Sequence, residues 1–181
     1  CMSDRLLPME ISHEKIERLI DKLTLFNDTL MGKVFDSNTE ATQLLLRIIL
    51  GRDDIHVLEV RGQLNMRSPF VGGHDVTLDI YAVDDNGEHF DVEVQQGIEG
   101  GSERRARFHA SMMDARMLKK KQAFSELGEA YVIFICRFDK FGKGEPLYHV
   151  DRQILETQGS FDDGSRIIYV NGLYKGDDAV G

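Results

Sequence analysis

Cysteine is scarce in this sequence, and so are long hydrophobic runs. Cys1 and Cys136 are the two cysteines among 181 residues, which excludes a disulfide framework and a zinc site of the cysteine type. Cys136 lies in the apolar run YVIFIC and is expected in the core. No apolar run approaches the roughly 18–20 residues that a membrane span needs, and the first residues lack the pattern of a signal peptide. We therefore expect a cytoplasmic protein with no membrane segment.

Basic residues are also outnumbered, because the chain has 22 Lys and Arg but 31 Asp and Glu, for a net charge of −9. Such a balance argues against a general nucleic-acid coat, which would be basic. It does not exclude a nuclease, since the distribution of charge matters more than the sum. Residues 104–121 concentrate the basic side chains of the chain against a single acid, Asp114. These are Arg104, Arg105, Arg107, Arg116, Lys119, Lys120 and Lys121.

The length suits one domain over residues 1–181, of which residues 1–11 are expected to be disordered. Helical spacing predicts helices at 12–35, at 39–50 between Thr39 and Gly51, and at 102–124. Strands are predicted at 55–66, 75–83, 88–96, 130–138, 146–150 and 166–170, the first of which could instead be a hairpin. This order indicates an α/β fold, a mixed sheet with helices packed on it.

The segment 75–96 is the most informative part of the sequence. Apolar residues occupy the even positions of both strands, and polar residues occupy the odd ones. The apolar set is Val76, Leu78, Ile80, Ala82, Phe90, Val92 and Val94. Residues that face each other across an antiparallel pair point to the same side of the sheet, so even positions must pair with even positions.

That pairing requires an odd number of loop residues. The simplest solution is a three-residue loop, Asp85-Asn86-Gly87, with Gly87 in the left-handed conformation. Counting outward from the loop then places Asp79 directly opposite Glu93, with Gln95 one step further along the same face. Opposed like charges are destabilising, and a cation such as Mg²⁺ between them would remove that cost. The alternative is a solvent-facing hairpin with scattered acids.

The pattern LDIYAVDDNGEHFDVEVQQ resembles the core of the PD-(D/E)XK nuclease family transposases, also called recombination-promoting nucleases. FNDTLMGKVF, RRARFHASMM and YVIFICRFDKFGKGEPLYHV are similar to further stretches of that family, and the resemblance covers roughly residues 25–175. It implies a restriction-endonuclease-like fold. It also implies that a further helical region of longer members is missing here. Gln95 stands where the superfamily usually has Lys, and His109 where an aromatic residue is common.

The resemblance implies a role for each matching residue. Asp79, Glu93 and Gln95 match the active site, with Asp79 and Glu93 as ligands of Mg²⁺ or Mn²⁺ and the backbone carbonyl of Val94 as a third ligand. Asp28 matches an acid that could hold a second metal or a water, and it could equally be a helix cap. Arg105 matches an arginine that would contact a DNA phosphate, unless it is simply a surface arginine. Arg104 and Arg107 are further candidates for DNA contact.

The implied function is a metal-dependent DNA endonuclease that hydrolyses phosphodiester bonds and is linked to DNA recombination or mobile elements. DNA is the expected partner, and a homodimer is left open. A nuclease-like domain that binds DNA or protein without cutting is the main alternative, and a purely structural domain is the second. None of the six histidines shows metal-ligand spacing, and a position of His109 away from the site is favoured.

Overall fold

The computed structural model describes residue 18 and residues 28–97 and 102–174, with the side chains of 28–31 excepted. The helices are α1 (Asp28–Phe35), α2 (Thr39–Leu50) and α3 (Ser102–Met117), with a single 3₁₀ turn at Phe124–Glu126. The strands are β1 (Val57–Met66), β2 (Val76–Asp84), β3 (His89–Gln95), β4 (Ala130–Cys136), β5 (Leu147–Val150), β6 (Gln153–Ile154), β7 (Gly159–Ser160) and β8 (Ser165–Asn171).

Six of the strands form one mixed sheet in the order β1-β2-β3-β4-β8-β5. The strands β1, β2 and β3 form an antiparallel meander, whereas β4 runs parallel to both β3 and β8. The edge strand β5 is antiparallel to β8. Helix α3 connects the parallel strands β3 and β4, as such a crossover requires. This arrangement confirms the predicted mixed α/β sheet and has the restriction-endonuclease-like architecture.

The sheet has an apolar core on each side. Leu45, Leu46 and Ile49 of α2 are buried in the first core, and Ala106 and Met113 of α3 are buried in the second. The central strand β4 contributes alternate residues to both cores, and every one of its residues is buried. A strand covered on both faces reads as a continuous apolar run, which is why YVIFIC does not alternate.

The ends of α2 follow from its sequence. The Asn38 side chain accepts a hydrogen bond from the Ala41 backbone N–H at 3.1 Å, which satisfies a donor that the first turn leaves free. Gly51 ends the helix in the left-handed conformation with φ 62°, which a residue without a side chain adopts at little cost. The predicted bounds 39–50 are therefore confirmed.

Other boundaries differ from the predictions. The helix predicted at 102–124 ends at Met117, because a turn follows in which the Gln122 side chain accepts from the Lys119 N–H at 2.6 Å. The three lysines at 119–121 therefore follow the helix instead of forming its last turn. The predicted segment 55–66 forms one strand, Val57–Met66, and not a hairpin. Most of the helix predicted at 12–35 and all of 1–11 lie outside the described residues. No helix within the described part of the chain is long and apolar enough to cross a membrane.

Candidate metal centre

The hairpin of β2 and β3 has the register that the sequence predicts. Ile80 pairs with Val92 and Ala82 with Phe90, so even residues face even residues. The loop is Asp85-Asn86-Gly87, and Gly87 has φ 73°. The ladder ends at the Ile80–Val92 pair, and one further step in the same register would bring Asp79 opposite Glu93. The two carboxyl groups are close enough for each to shift the pKa of the other.

The polar face of this hairpin is buried, not solvent-facing. Helix α3 packs over it, and Asp79 is 8% exposed while Asp91 and Glu93 are 0% exposed. The alternative of a solvent-facing hairpin with scattered acids is therefore wrong. Burying an ionised carboxylate is costly unless it is paired or bound to a metal. The carboxylates of this face need a compensating charge.

The strands β1 and β2 are irregular next to Asp79. On the two sides of this point, the even-numbered residues of these strands are buried against opposite faces of the sheet. Val60 of β1 and Ile80 of β2 pack in the first core, whereas Leu78 is buried in the second core and Leu64 packs against it. The change occurs at Gln63, which has a φ of 53°. The assumption that all even positions of β2 share one core is therefore wrong for its first residues. The alternation of apolar and polar residues in the sequence does not reveal that a residue inside a strand has a left-handed backbone conformation.

The same irregularity brings α1 close to the site. A Cβ on Gly62 would lie 2.1 Å from the Gly32 carbonyl oxygen, so the backbones of α1 and β1 touch there. The Gln63 side-chain amide lies 3.4 Å from Asp79 Oδ1. On its other oxygen, Asp79 accepts the backbone N–H of Val94 at 3.1 Å. The Asp79 carboxylate is thus fixed between two strands, and its neighbours orient it towards β3.

His109 of α3 lies at the centre of the buried polar face, so the expectation that it lies elsewhere is wrong. Its Nδ1 is 2.7 Å from Asp91 Oδ2 and 3.2 Å from Glu93 Oε1. His109 is 3% exposed. Sequence reasoning missed it because its partners come from a strand 16 and 18 positions earlier, so no ligand spacing exists along the chain. The usable signal is its position on α3, one helical turn after Arg105.

The carboxylates of β3 are not fully satisfied. Both Glu93 oxygens and Asp91 Oδ1 are buried without a hydrogen-bond donor among the described residues. Asp79 can share a proton with Glu93, but when both groups are ionised neither has a hydrogen to donate. Buried polar groups are nearly always hydrogen-bonded or bound to an ion. These three oxygen atoms therefore indicate a position for a cation.

The electrostatics of the cluster agree with this. Burial, together with the neighbouring Glu93, raises the pKa of Asp79 to about 8. Burial and the charge of Asp91 raise the pKa of Glu93 to about 7. Burial alone would lower the pKa of His109, but its hydrogen bonds to Asp91 and Glu93 raise it to about 9. Each shift favours a protonated group, as expected where too many negative charges share a site of low polarity.

Arg105 approaches the site from one turn of α3 before His109. Its Nη2 is 3.8 Å from Glu93 Oε2, and its side chain is 44% exposed. Arg105 and Arg104 also line a cleft of about 530 Å³ beside the site. The other lining residues are His74, Asp75, Val76, Thr77, Phe108 and His109. Arg107 is exposed but does not line the cleft.

The remaining predicted site residues have these positions. Gln95 ends β3 two residues after Glu93, and it is 7% exposed. Val94, whose carbonyl was predicted as a ligand, lies between them and contacts Asp79 through its N–H. Asp28 is the first residue of α1, but its side chain lies outside the described part of the structure.

The sheet and its buried carboxylates define a protein with the restriction-endonuclease-like fold. A comparison with protein families matched residues 25–175 to the PD-(D/E)XK nuclease family transposases, so the chain belongs to that family. A search of curated proteins and one of solved structures gave no significant match. Membership supports a nuclease-type function, and such nucleases typically use divalent metals.

Proposed function

We propose that this protein is a metal-dependent DNA endonuclease that hydrolyses phosphodiester bonds. The observation that carries the proposal is the pair of buried carboxylates, Asp79 and Glu93, which face each other while both Glu93 oxygens lack a donor among the described residues. Hard cations such as Mg²⁺ and Mn²⁺ prefer carboxylate oxygens. Asp79, Glu93 and the backbone carbonyl of Val94 would hold the ion, and Asp28 is a candidate for a second metal or a water.

A bound divalent ion would activate a water molecule and stabilise the charge that develops on the phosphoryl group. The residues of the chain supply the rest of the site. Asp79 is held in place by the Val94 N–H on one oxygen and by the Gln63 amide on the other. Gln95 is neutral, so it would orient the attacking water or a phosphate oxygen by hydrogen bonding but would not act as an efficient base.

The positive charge for substrate binding would come from α3. Arg105 is half exposed and close to Glu93, so its guanidinium can reach a phosphate at the site and bind it in a bidentate manner. Arg104 lines the same cleft, whereas Arg107 would contribute only to the general positive charge of the helix. A basic helix beside an acidic centre explains how a chain of net charge −9 would bind DNA. The transposase description of the family favours a link with DNA recombination or mobile elements.

Plasmid cleavage with and without Mg²⁺ or Mn²⁺ tests the proposal. We expect nicking or linearisation by the wild type that requires the metal and is lost in Asp79→Asn and Glu93→Gln. Asp85→Asn is a matched control, because Asp85 lies in the exposed hairpin loop and should leave cleavage unchanged.

Two other outcomes would replace the proposal. DNA binding without cleavage under any metal would identify a nuclease-like binding domain. The absence of DNA binding, cleavage and metal binding together would indicate a structural domain. The homodimer stays a prediction, which sedimentation analysis would check.

A further inference from the structure

Asp91, Glu93 and His109 form a group of potential metal ligands that shares only Glu93 with the Asp79–Glu93 pair. One ligand atom from each lies within 4.8 Å of the other two, and all three residues are buried. The His109 Nδ1 faces both carboxylates, at 2.7 Å from Asp91 and 3.2 Å from Glu93. Two elements converge here, since β3 supplies the acids and α3 supplies the imidazole.

A single proton on His109 Nδ1 cannot form hydrogen bonds to both Asp91 and Glu93. An N–H points in one direction, and here it serves Asp91, so Glu93 Oε1 stays without a hydrogen bond despite its distance of 3.2 Å from the nitrogen. Asp91 Oδ1 and Glu93 Oε2 also lack a donor within the described residues. An ion would contact all three ligands together. Ligand distances of about 2.1 Å separate neighbouring ligand atoms by roughly 3.0–3.4 Å, so the Nδ1–Asp91 contact would open by only a few tenths of an ångström.

We propose that Asp91, Glu93 and His109 form a second cation position, which shares Glu93 with the Asp79 pair and takes a transition metal such as Mn²⁺, Co²⁺ or Zn²⁺. The imidazole sets this preference, because it suits transition metals, whereas Mg²⁺ and Ca²⁺ favour sites made of oxygen ligands. The role of this ion in cleavage rests on the proposed function, but its binding does not.

Titration of the chelator-treated, full-length protein with Co²⁺ tests the proposal, with binding followed by calorimetry and by the visible absorption of the ion. We expect two Co²⁺ ions per wild-type chain and one in Asp79→Asn, which keeps the second position. His109→Gln should weaken the second Co²⁺ by more than about tenfold and change the absorption spectrum. His149→Gln is the matched control, because His149 is exposed on β5 and should bind like the wild type.

Asp91→Asn provides a second variant if His109→Gln does not fold, as circular dichroism would reveal. The loss of all Co²⁺ binding in Asp79→Asn overturns the proposal. Binding by His109→Gln with unchanged affinity and spectrum also overturns it. Failure of the proposed function would give a different result. If the wild type does not cleave a plasmid but Asp79→Asn still binds Co²⁺, the second position stands and only the nuclease proposal fails.

Discussion

Replacing Asp79 by Asn should stabilise the metal-free protein, which is the opposite of what a structural aspartate predicts. Asp79 is buried beside Glu93, and burial and this neighbour raise its pKa to about 8. Asn has the same shape and no charge. Its amide oxygen can still accept the Val94 N–H that Asp79 accepts at 3.1 Å, so the substitution removes the repulsion without removing the hydrogen bond.

The size of the effect follows from the pKa. Because one pKa unit corresponds to about 1.4 kcal/mol, the rise for Asp79 from 3.8 to about 8 is a cost on the order of 5 kcal/mol near pH 8. Between these two pKa values the folded state binds the extra proton, so the stability of the metal-free wild type falls as the pH rises through this range. Asp79→Asn should therefore gain more stability near pH 8 than near pH 5.

Magnesium should stabilise the wild type but not Asp79→Asn, and so reduce the difference in stability between the two proteins. An ion that binds the folded state alone adds about 2.7 kcal/mol at a hundredfold excess over its dissociation constant. For a chain of this size each kcal/mol raises the melting temperature by roughly 2–4 °C. The wild type should show this rise with Mg²⁺, Asp79→Asn should not, and Asp85→Asn should behave like the wild type. Melting curves with chelator and with Mg²⁺ at two pH values measure all of these effects.

If the melting temperature of the wild type does not respond to millimolar Mg²⁺, and Asp79→Asn melts well below the wild type at both pH values, then Asp79 is a structural residue. Its carboxylate would then stabilise the fold through its contacts, and the metal centre would have no support.

Three further predictions concern other parts of the molecule. Arg105→Ala should reduce the slope of log affinity for DNA against log salt by about one unit, if the arginine contacts one phosphate; an unchanged slope would exclude that contact. Gly62→Ala should destabilise the protein and lower metal binding, because the new Cβ would lie 2.1 Å from the Gly32 carbonyl oxygen; a wild-type melting temperature would show that α1 can move away at no cost. Arg52→Ala should cost about 3 kcal/mol in urea unfolding, since it leaves the buried Glu88 without its partner at 3.0 Å, while cleavage per folded molecule should stay unchanged.

Much of the fold could be predicted from the sequence, because strong local signals agree with it. The loop Asp85-Asn86-Gly87 fixes the hairpin register, and the two-residue period of β3 fixes its polar face. The continuous apolar run of β4 indicates a strand covered on both sides. The end of α3 at Met117 could not be predicted, because the turn that replaces the helix depends on a specific side-chain hydrogen bond of Gln122.

The site was less predictable than the fold. Asp79 and Glu93 could be paired because both lie on one hairpin, where the register is a matter of counting. The contact of His109 with Asp91 at 2.7 Å depends on how α3 crosses the sheet, and no local pattern specifies that. The change of face at Gln63 also depends on tertiary packing. The positive φ of Gln63 follows from the packing of the neighbouring backbone and not from its residue type.

The composition of the buried face links the two proposed cation positions. Gln95, two residues after Glu93 on β3, is neutral and adds no positive charge. Against three buried carboxylates, the described residues supply only two basic groups in contact, Arg105 at 3.8 Å from Glu93 and His109. Arg105 is half exposed and free to turn to a phosphate, so its departure would leave His109 alone with the negative charge. Under the proposed function, the release of Arg105 to a phosphate would need a cation at Glu93, so we expect metal binding and DNA binding to reinforce each other at this site.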